Sequence, residues 1–270
     1  MLRSAKEIIG YSIHALDGDI GHVADFYFDD KAWVIRYLVV DTGGWLSGRK
    51  VLISPFAFEQ PNWADRSLSV RLSKEQVEDS PGIDLEKPVS RQHEVQLHEY
   101  YGWRPYWGSR DTLGYLAMAR PMPVNFQPPP TVSAQDGPPE KYDLLRRAKE
   151  MDAEDYDPHL RSMDEVIGYD IQARDGGIGH VETFIIDDEG WSVMYLVVDT
   201  RNWLPGKKVL VALAWVEAVN WLDRLVEIDL DRETIKNSPE YHPDEPVNRE
   251  IETVLYDYYG RPVYWQQVPK

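Results

Sequence analysis

Apolar and polar positions follow one another in short runs punctuated by turn residues. Residues 20–29 alternate in part, and residues 33–40 end in the continuous run Tyr37-Leu38-Val39-Val40, which suits a strand buried on both faces. Residues 50–53 and 68–72 read as two further strands. Asp17-Gly18 and Asp175-Gly176-Gly177 are hairpin-turn sequences, because glycine supplies the positive φ that a tight turn requires. Residues 73–77 and 231–235 read as N-capped single helical turns, stopped before Pro81 and Pro239. Ser90 and Asn248 are placed to cap longer helices that end at Gly102 and Gly260. The pattern predicts a mainly β fold with a few short helices.

The pattern also repeats. Ile9-Gly10-Tyr11 returns as Ile167-Gly168-Tyr169, Ile20-Gly21-His22-Val23 as Ile178-Gly179-His180-Val181, and Tyr37-Leu38-Val39-Val40-Asp41-Thr42 as Tyr195-Leu196-Val197-Val198-Asp199-Thr200, each 158 residues on. The same offset relates Trp45 to Trp203, Asn62-Trp63 to Asn220-Trp221, Asp65-Arg66 to Asp223-Arg224, and Tyr100-Tyr101-Gly102 to Tyr258-Tyr259-Gly260, and it runs without a gap to Tyr106-Trp107 and Tyr264-Trp265. About 50 identities over about 106 positions point to a tandem duplication.

The run Gly21-His22-Val23-x-x-Phe26-x-x-Asp29-Asp30, then Trp33-x-x-x-Tyr37-Leu38-Val39-Val40-Asp41-Thr42 and Trp45-Leu46-x-Gly48-x-Lys50-Val51-Leu52-Ile53, resembles the PRC-barrel family; the second copy, through Trp203-Leu204-Pro205-Gly206-Lys207-Lys208-Val209-Leu210-Val211, fits at least as well. The family takes its name from the cytoplasmic domain of the H subunit of the photosynthetic reaction centre, and it also supplies the C-terminal domain of a ribosome-maturation factor. The resemblance implies two SH3-like six-stranded barrels acting as docking modules, and the duplication suggests that they pack as a pseudo-twofold pair. The expected layout is a first PRC-barrel domain over 1–107, a proline-rich linker over 108–159, and a second PRC-barrel domain over 160–270. The linker carries Pro121-Met122-Pro123, Gln127-Pro128-Pro129-Pro130 and Gly137-Pro138-Pro139, which favour extended chain, and a short helix is expected over 141–151.

Composition narrows the chemistry. The formal net charge of −17 opposes direct nucleic-acid binding and attraction to an anionic membrane surface. It is distributed unevenly, with 12 basic and 16 acidic residues in 2–107 against 10 and 21 in 160–265. With no cysteine in the chain, disulfides, thiolate nucleophiles and sulfur-ligated metals drop out. No signal sequence and no run of about 20 apolar residues is apparent, so a cytoplasmic location is expected.

Candidate binding residues come from what recurs. His22 and His180 stand beside equivalent glycines, but neither copy offers a second histidine at ligand spacing, so no metal site is expected. Asp29-Asp30 and Asp187-Asp188 read as turn residues. Asp41 and Asp199, with the following threonines, end the strongest strand and either form a polar rim or satisfy the next turn. His93 and His98 have no counterpart in the second copy, where Ile251 and Tyr256 stand, and are expected at a surface or interface. The aromatic endings, represented by Tyr101, Trp107, Tyr259 and Trp265, either close each barrel or meet a partner. No nucleophile elbow, phosphate-binding glycine loop or dinucleotide fingerprint appears.

The expectation is a noncatalytic adaptor that binds a protein partner, pairs its own repeats and needs no cofactor. The family resemblance points to peripheral association with a photosynthetic or electron-transfer membrane complex. The alternatives are a ribosome-assembly or RNA-processing accessory role, and an enzyme or small-ligand binder with a site between the repeats.

Overall fold

The computed structural model describes residues 1–46, 48–59, 61–81, 89, 91–103, 105–106, 160–200 and 206–266. The linker with its expected helix, Ser90 and Trp107 lie outside the described residues. The first repeat runs through β1 (Leu2–Ser4), α1 (Ala5–Ile8), β2 (Ser12–Ala15), β3 (Gly18–Asp29), β4 (Val34–Asp41), β5 (Lys50–Ile53), β6 (Ser67–Ser69), α2 (Lys74–Glu78) and α3 (Arg91–Tyr101). The second runs through β7 (Leu160–Ser162), α4 (Met163–Val166), β8 (Asp170–Ala173), β9 (Gly176–Asp187), β10 (Ser192–Asp199), β11 (Lys208–Ala212), β12 (Val216–Asn220), β13 (Leu225–Ile228), α5 (Arg232–Asn237) and α6 (Arg249–Tyr259). The fold is mainly β, as the hydrophobic pattern predicts.

Local chemistry sets the boundaries. Ser73 caps α2 in a capping box with Gln76, each side chain bonding the other's backbone N–H. Asn248 caps α6 by accepting from the N–H groups of Glu250 and Ile251, and Gly260 ends that helix with φ 61°. The strand expected over 68–72 is shorter, because Val70 makes only an isolated bridge to Phe58 and Arg71 N–H donates to the Ala57 carbonyl. The counterpart of β12 in the first repeat is likewise reduced to the Phe58 and Asn62 bridges. Pro61 stands there in place of Val219 and has no N–H for a ladder.

The described chain divides into two compact units, and each takes segments from both repeats. The first contains the described residues of Ile8–Ser162 with Glu189–Trp191. Its strands follow the order β6-β2-β3-β4-β5, antiparallel except for the parallel β2–β6 pair. The second contains Met1–Glu7, Met163–Asp188 and the described residues from Ser192 onward, in the order β12-β13-β8-β9-β10-β11, with β13–β8 parallel.

The exchange of segments concerns the long strands. In the first unit β3 pairs along its end with β7, matching Tyr27 to Ser162, Phe28 to Arg161 and Asp29 to Leu160. In the second, β9 pairs with β1 in the same register, matching Ile185 to Ser4, Ile186 to Arg3 and Asp187 to Leu2. Each long strand is therefore joined by the three residues that lead into the other repeat. Leu160 is fully buried there, in a cluster with Tyr27, Tyr37, Val39, Leu52, Val89 and Leu97. The tip of the second repeat's hairpin also belongs to the first unit: Trp191 accepts from Ile35 N–H at 2.8 Å and its ring lies 6.0 Å from that of Phe58.

Both long strands bend at a bulge, where Ala24 and Glu182 are skipped in the pairing with β4 and β10. Just before the bulge, Gly21 and Gly179 adopt φ of 139° and 147°. A Cβ on Gly21 would lie 1.9 Å from the Asp41 carbonyl oxygen, and one on Gly179 would lie 2.1 Å from that of Asp199. The recurrence of Gly beside His and of Asp at the end of the next strand is thus a packing requirement between two backbones. Gly10, at φ 85°, has nothing within 4 Å of the corresponding position. Gly21→Ala is expected to destabilise by more than about 3 kcal/mol, combining backbone strain with a clash against main chain, whereas Gly10→Ala should cost only about 1 kcal/mol. Urea denaturation of the two variants measures the difference.

Candidate functional site

The strand registers bring the histidines and aspartates of the sequence pattern together. His22 faces Asp41 across β3–β4, and His180 faces Asp199 across β9–β10. Asp41 accepts from Gly43 N–H at 2.8 Å, and the Thr42 hydroxyl donates to the Arg49 carbonyl at 2.5 Å. Thr200 repeats that bond to Lys207 at 2.8 Å. The two pairs are otherwise unequal. His22 is exposed, while His180 is half-buried and Asp199 fully buried.

The bulge residue accounts for the asymmetry. In the second repeat it is Glu182, and ligand atoms of His180, Glu182 and Asp199 lie within 4.8 Å of one another. That set could hold a metal ion by residue type, but Glu182 already accepts from Lys208 at 2.8 Å and Lys6 at 3.1 Å, and these contacts hold its carboxyl below the usual range. An incoming cation would have to displace two ammonium groups. The first repeat has Ala24 at this place, so the set is not repeated.

Asp29 and Asp30 have separate jobs. Asp29 accepts from the N–H groups of Lys31 and Ala32, both at 3.0 Å, and from Arg36 at 3.2 Å. Burial pushes its carboxyl up, but these donors outweigh it and the net shift is downward. Asp30 pairs with Arg161 at 3.7 Å, and Asp188 with Arg3 at 2.7 Å, so the second aspartate of each pair holds the arginine of the incoming strand.

A polar cluster that the sequence pattern did not single out lies inside each unit. Tyr37, on β4, directs its hydroxyl to Glu94 of α3 at 3.2 Å and to Nε2 of His98 at 2.9 Å, and the Tyr106 hydroxyl also donates to Glu94. Glu94 and His98 are both buried, which places His98 inside the fold instead of at the expected surface. The second unit repeats the arrangement with Tyr195 donating to Glu252 at 2.7 Å and Tyr264 donating to it at 3.0 Å, while Tyr256 stands in place of His98. Arg249 pairs with Glu252 at 3.0 Å and lies 4.1 Å over the ring of Trp265. Burial, reinforced by Glu252, pushes Tyr264 up to about 12. Of the aromatic endings, Trp265 is thus packed against Arg249, and Trp107 lies outside the described residues.

Tyr101 and Tyr259 also pack inward, by different means. Tyr101 stacks on Trp103 at 4.3 Å, whereas Tyr259 lies 4.6 Å from Trp215. The first repeat has Ala57 where the second has Trp215, and Trp103 where the second has Arg261. The same tyrosine face is therefore covered by a tryptophan from a different element. Burial pushes Tyr101 up to about 12 and raises Tyr259 as well.

One feature repeated on the outside is the turn that leads into β6 and β13. Asn62 donates to Asp65 at 2.7 Å and Asn220 to Asp223 at 2.6 Å, and the next residues, Arg66 and Arg224, hold φ of 53° and 54°. These arginines lie 5.9 and 5.3 Å over the rings of Tyr11 and Tyr169, against which Trp63 and Trp221 pack at 6.1 and 6.2 Å. Both arginines are exposed and Leu222, beside Trp221, is 96% exposed.

Residues 2–62 match the family model of the PRC-barrel domain. No curated protein matches the chain. No helix among the described residues is long and apolar enough to cross a membrane.

Tyr37/Tyr195, Glu94/Glu252 and the Leu-Arg-Ser segments were all visible as identities at the 158-residue offset, and that recurrence was the signal that could have found them. The buried phenols give a pH prediction. Tyr101 and Tyr264 have folded pKa values above the value of about 10 for an unfolded tyrosine, so the unfolded state loses protons first as pH rises. Their contribution is complete below about pH 10 and is lost between about pH 10 and pH 12, at a slope of roughly 1 kcal/mol per pH unit for Tyr101. Urea unfolding from pH 8 to 11.5 should show this decline, and Tyr101→Phe should make it shallower.

Proposed function

We propose that this chain is a noncatalytic PRC-barrel adaptor that docks a protein partner through the Trp-Arg turns. The observation that carries the reading is the recurrence, in both repeats, of one solvent-facing turn that carries Trp and Arg and is backed by a buried Tyr. These residue types contribute most per side chain at protein interfaces, since they bury large area at low entropic cost. The turn is also rigid before binding: Asn–Asp hydrogen bonds and the bonds from Ser12 and Asp170 N–H to the Arg66 and Arg224 carbonyls fix it, so little ordering entropy is lost on docking. Interior acids and phenols that could do proton chemistry serve instead as one another's partners. The second repeat's acidic surface favours a partner with basic patches.

The family resemblance directs the first search to subunits of photosynthetic or electron-transfer membrane complexes. Tagged full-length chain incubated with extract of the native host should retain a defined partner, and Trp63→Ala with Trp221→Ala should weaken it at least tenfold, about 1.4 kcal/mol or more. Leu222→Asp should weaken it as well while leaving the melting temperature unchanged. A partner bound equally by all three proteins would exclude these turns as the docking surface. Ribosomal proteins in place of membrane-complex subunits would redirect the assignment to ribosome assembly.

A further inference from the structure

The ends of β3 and β9 are acceptor edges, and the segments that fill them share one sequence. Leu2-Arg3-Ser4 and Leu160-Arg161-Ser162 are identical, pair in registers that coincide at the 158-residue offset, and offer their arginines to equivalent aspartates, Asp188 and Asp30. Both edges share a three-residue ladder, one ion pair and a leucine; the β9 edge adds Asp188 N–H donating to the Met1 carbonyl at 2.9 Å and the Met1 amine bonding Asp188, contacts that the same segment of a second copy offers equally. Each donor is followed by a four-residue helix and then a glycine at positive φ, Gly10 at 85° and Gly168 at 87°. At both glycines the Cβ position is open, while each N–H donates to the long strand of its own repeat, Gly10 to Val23 and Gly168 to Val181, both at 2.8 Å.

We infer that the β9 edge is a docking site for the Leu-Arg-Ser segment of a second copy of this chain, so that two copies exchange N-terminal strands into a dimer. An exchanged dimer makes the same contacts as the monomer, so its cost is confined to association and to leaving the tethered donor. Residues 1–7 must move, which opens α1 ahead of the buried Ile8 and gives up the three-residue ladder, the Arg3–Asp188 and Lys6–Glu182 pairs and the contacts of Met1 with Asp188, all of which the exchanged donor restores. The tethered donor acts at an effective concentration of the order of millimolar, so exchange between chains is expected at high protein concentration. The net charge of −17 opposes the approach of two copies, and added salt should relieve it. This inference stands apart from the Trp-Arg turns and survives if they prove inert.

The absence of cysteine makes the test specific. Leu2 and Asp187 are directly opposed across β1–β9. Full-length Leu2→Cys carrying a long tag is mixed with untagged full-length Asp187→Cys at several hundred micromolar and oxidised, so that a disulfide joining positions 2 and 187 can form only between chains. The control replaces Asp187→Cys with Leu222→Cys, whose position is 96% exposed and away from the edge. Circular dichroism and melting establish that each variant is folded, and native mass spectrometry of wild-type chains with two tag lengths reads mixed dimers without any substitution. The expected result is mixed disulfide at least fivefold above the control, rising with salt, together with mixed wild-type dimers. Mixed disulfide at the control level, or wild-type chains that remain monomeric at the same concentration, would overturn the inference.

Discussion

The pairing of each long strand with the three residues that lead into the other repeat is the constraint on which the rest of this structure depends. β3 and β9 are each twelve residues long and serve three neighbours in turn, first β2 or β8, then β4 or β10, and finally the borrowed strand. A strand can do this only by bending, and the bulges at Ala24 and Glu182 and the positive-φ glycines at 21 and 179 supply the bend. The glycines in turn admit the close backbone approach that places His22 by Asp41 and His180 by Asp199. A motif that reads as chemistry in the sequence is, in the fold, chiefly the mark of this bend.

Inside each unit the physics is that of a satisfied polar core. A buried carboxylate is costly unless it is paired, and Glu94 and Glu252 each collect phenol donors, while Glu252 also pairs with Arg249. The two repeats reach this end with different residues. Where one uses His98, the other uses Tyr256; where one covers Tyr101 with Trp103, the other covers Tyr259 with Trp215. Such exchanges keep volume and polarity while changing identity, so the architecture persists although about half the positions differ.

Much of the fold was legible in the sequence because the signals were local. Alternation and the Tyr-Leu-Val-Val run marked β3 and β4, and Ser73, Asn248 and Gly260 marked helix ends through the hydrogen bonds they make. Asp41 and Thr42 were readable as turn residues for the same reason. What the sequence hid was non-local. Nothing within Leu160-Arg161-Ser162 indicates which β-strand it will join, since a three-residue strand has no periodicity to read and its register is set by Asp30 and a pocket far away in the chain. His98 looked like a surface residue because its counterpart differs, whereas its burial follows from Tyr37 and Tyr106 closing around it. The exposed turns at Trp63 and Trp221 were visible as repeats, but only the folded positions of Tyr11, Tyr169 and the two arginines show them as preformed surfaces.

The crossed assignment of strands is tested most directly by backbone hydrogen exchange on the full chain carrying Leu160→Ala. Removing this buried leucine leaves a cavity and should destabilise by about 2–5 kcal/mol. If Leu160 completes the first repeat, amides in β3 and β4 should lose protection by two or more orders of magnitude while those in β9 and β10 exchange as in the wild type. Loss of protection centred on β9 and β10, the strands of the repeat that follows Leu160 in sequence, would contradict the account.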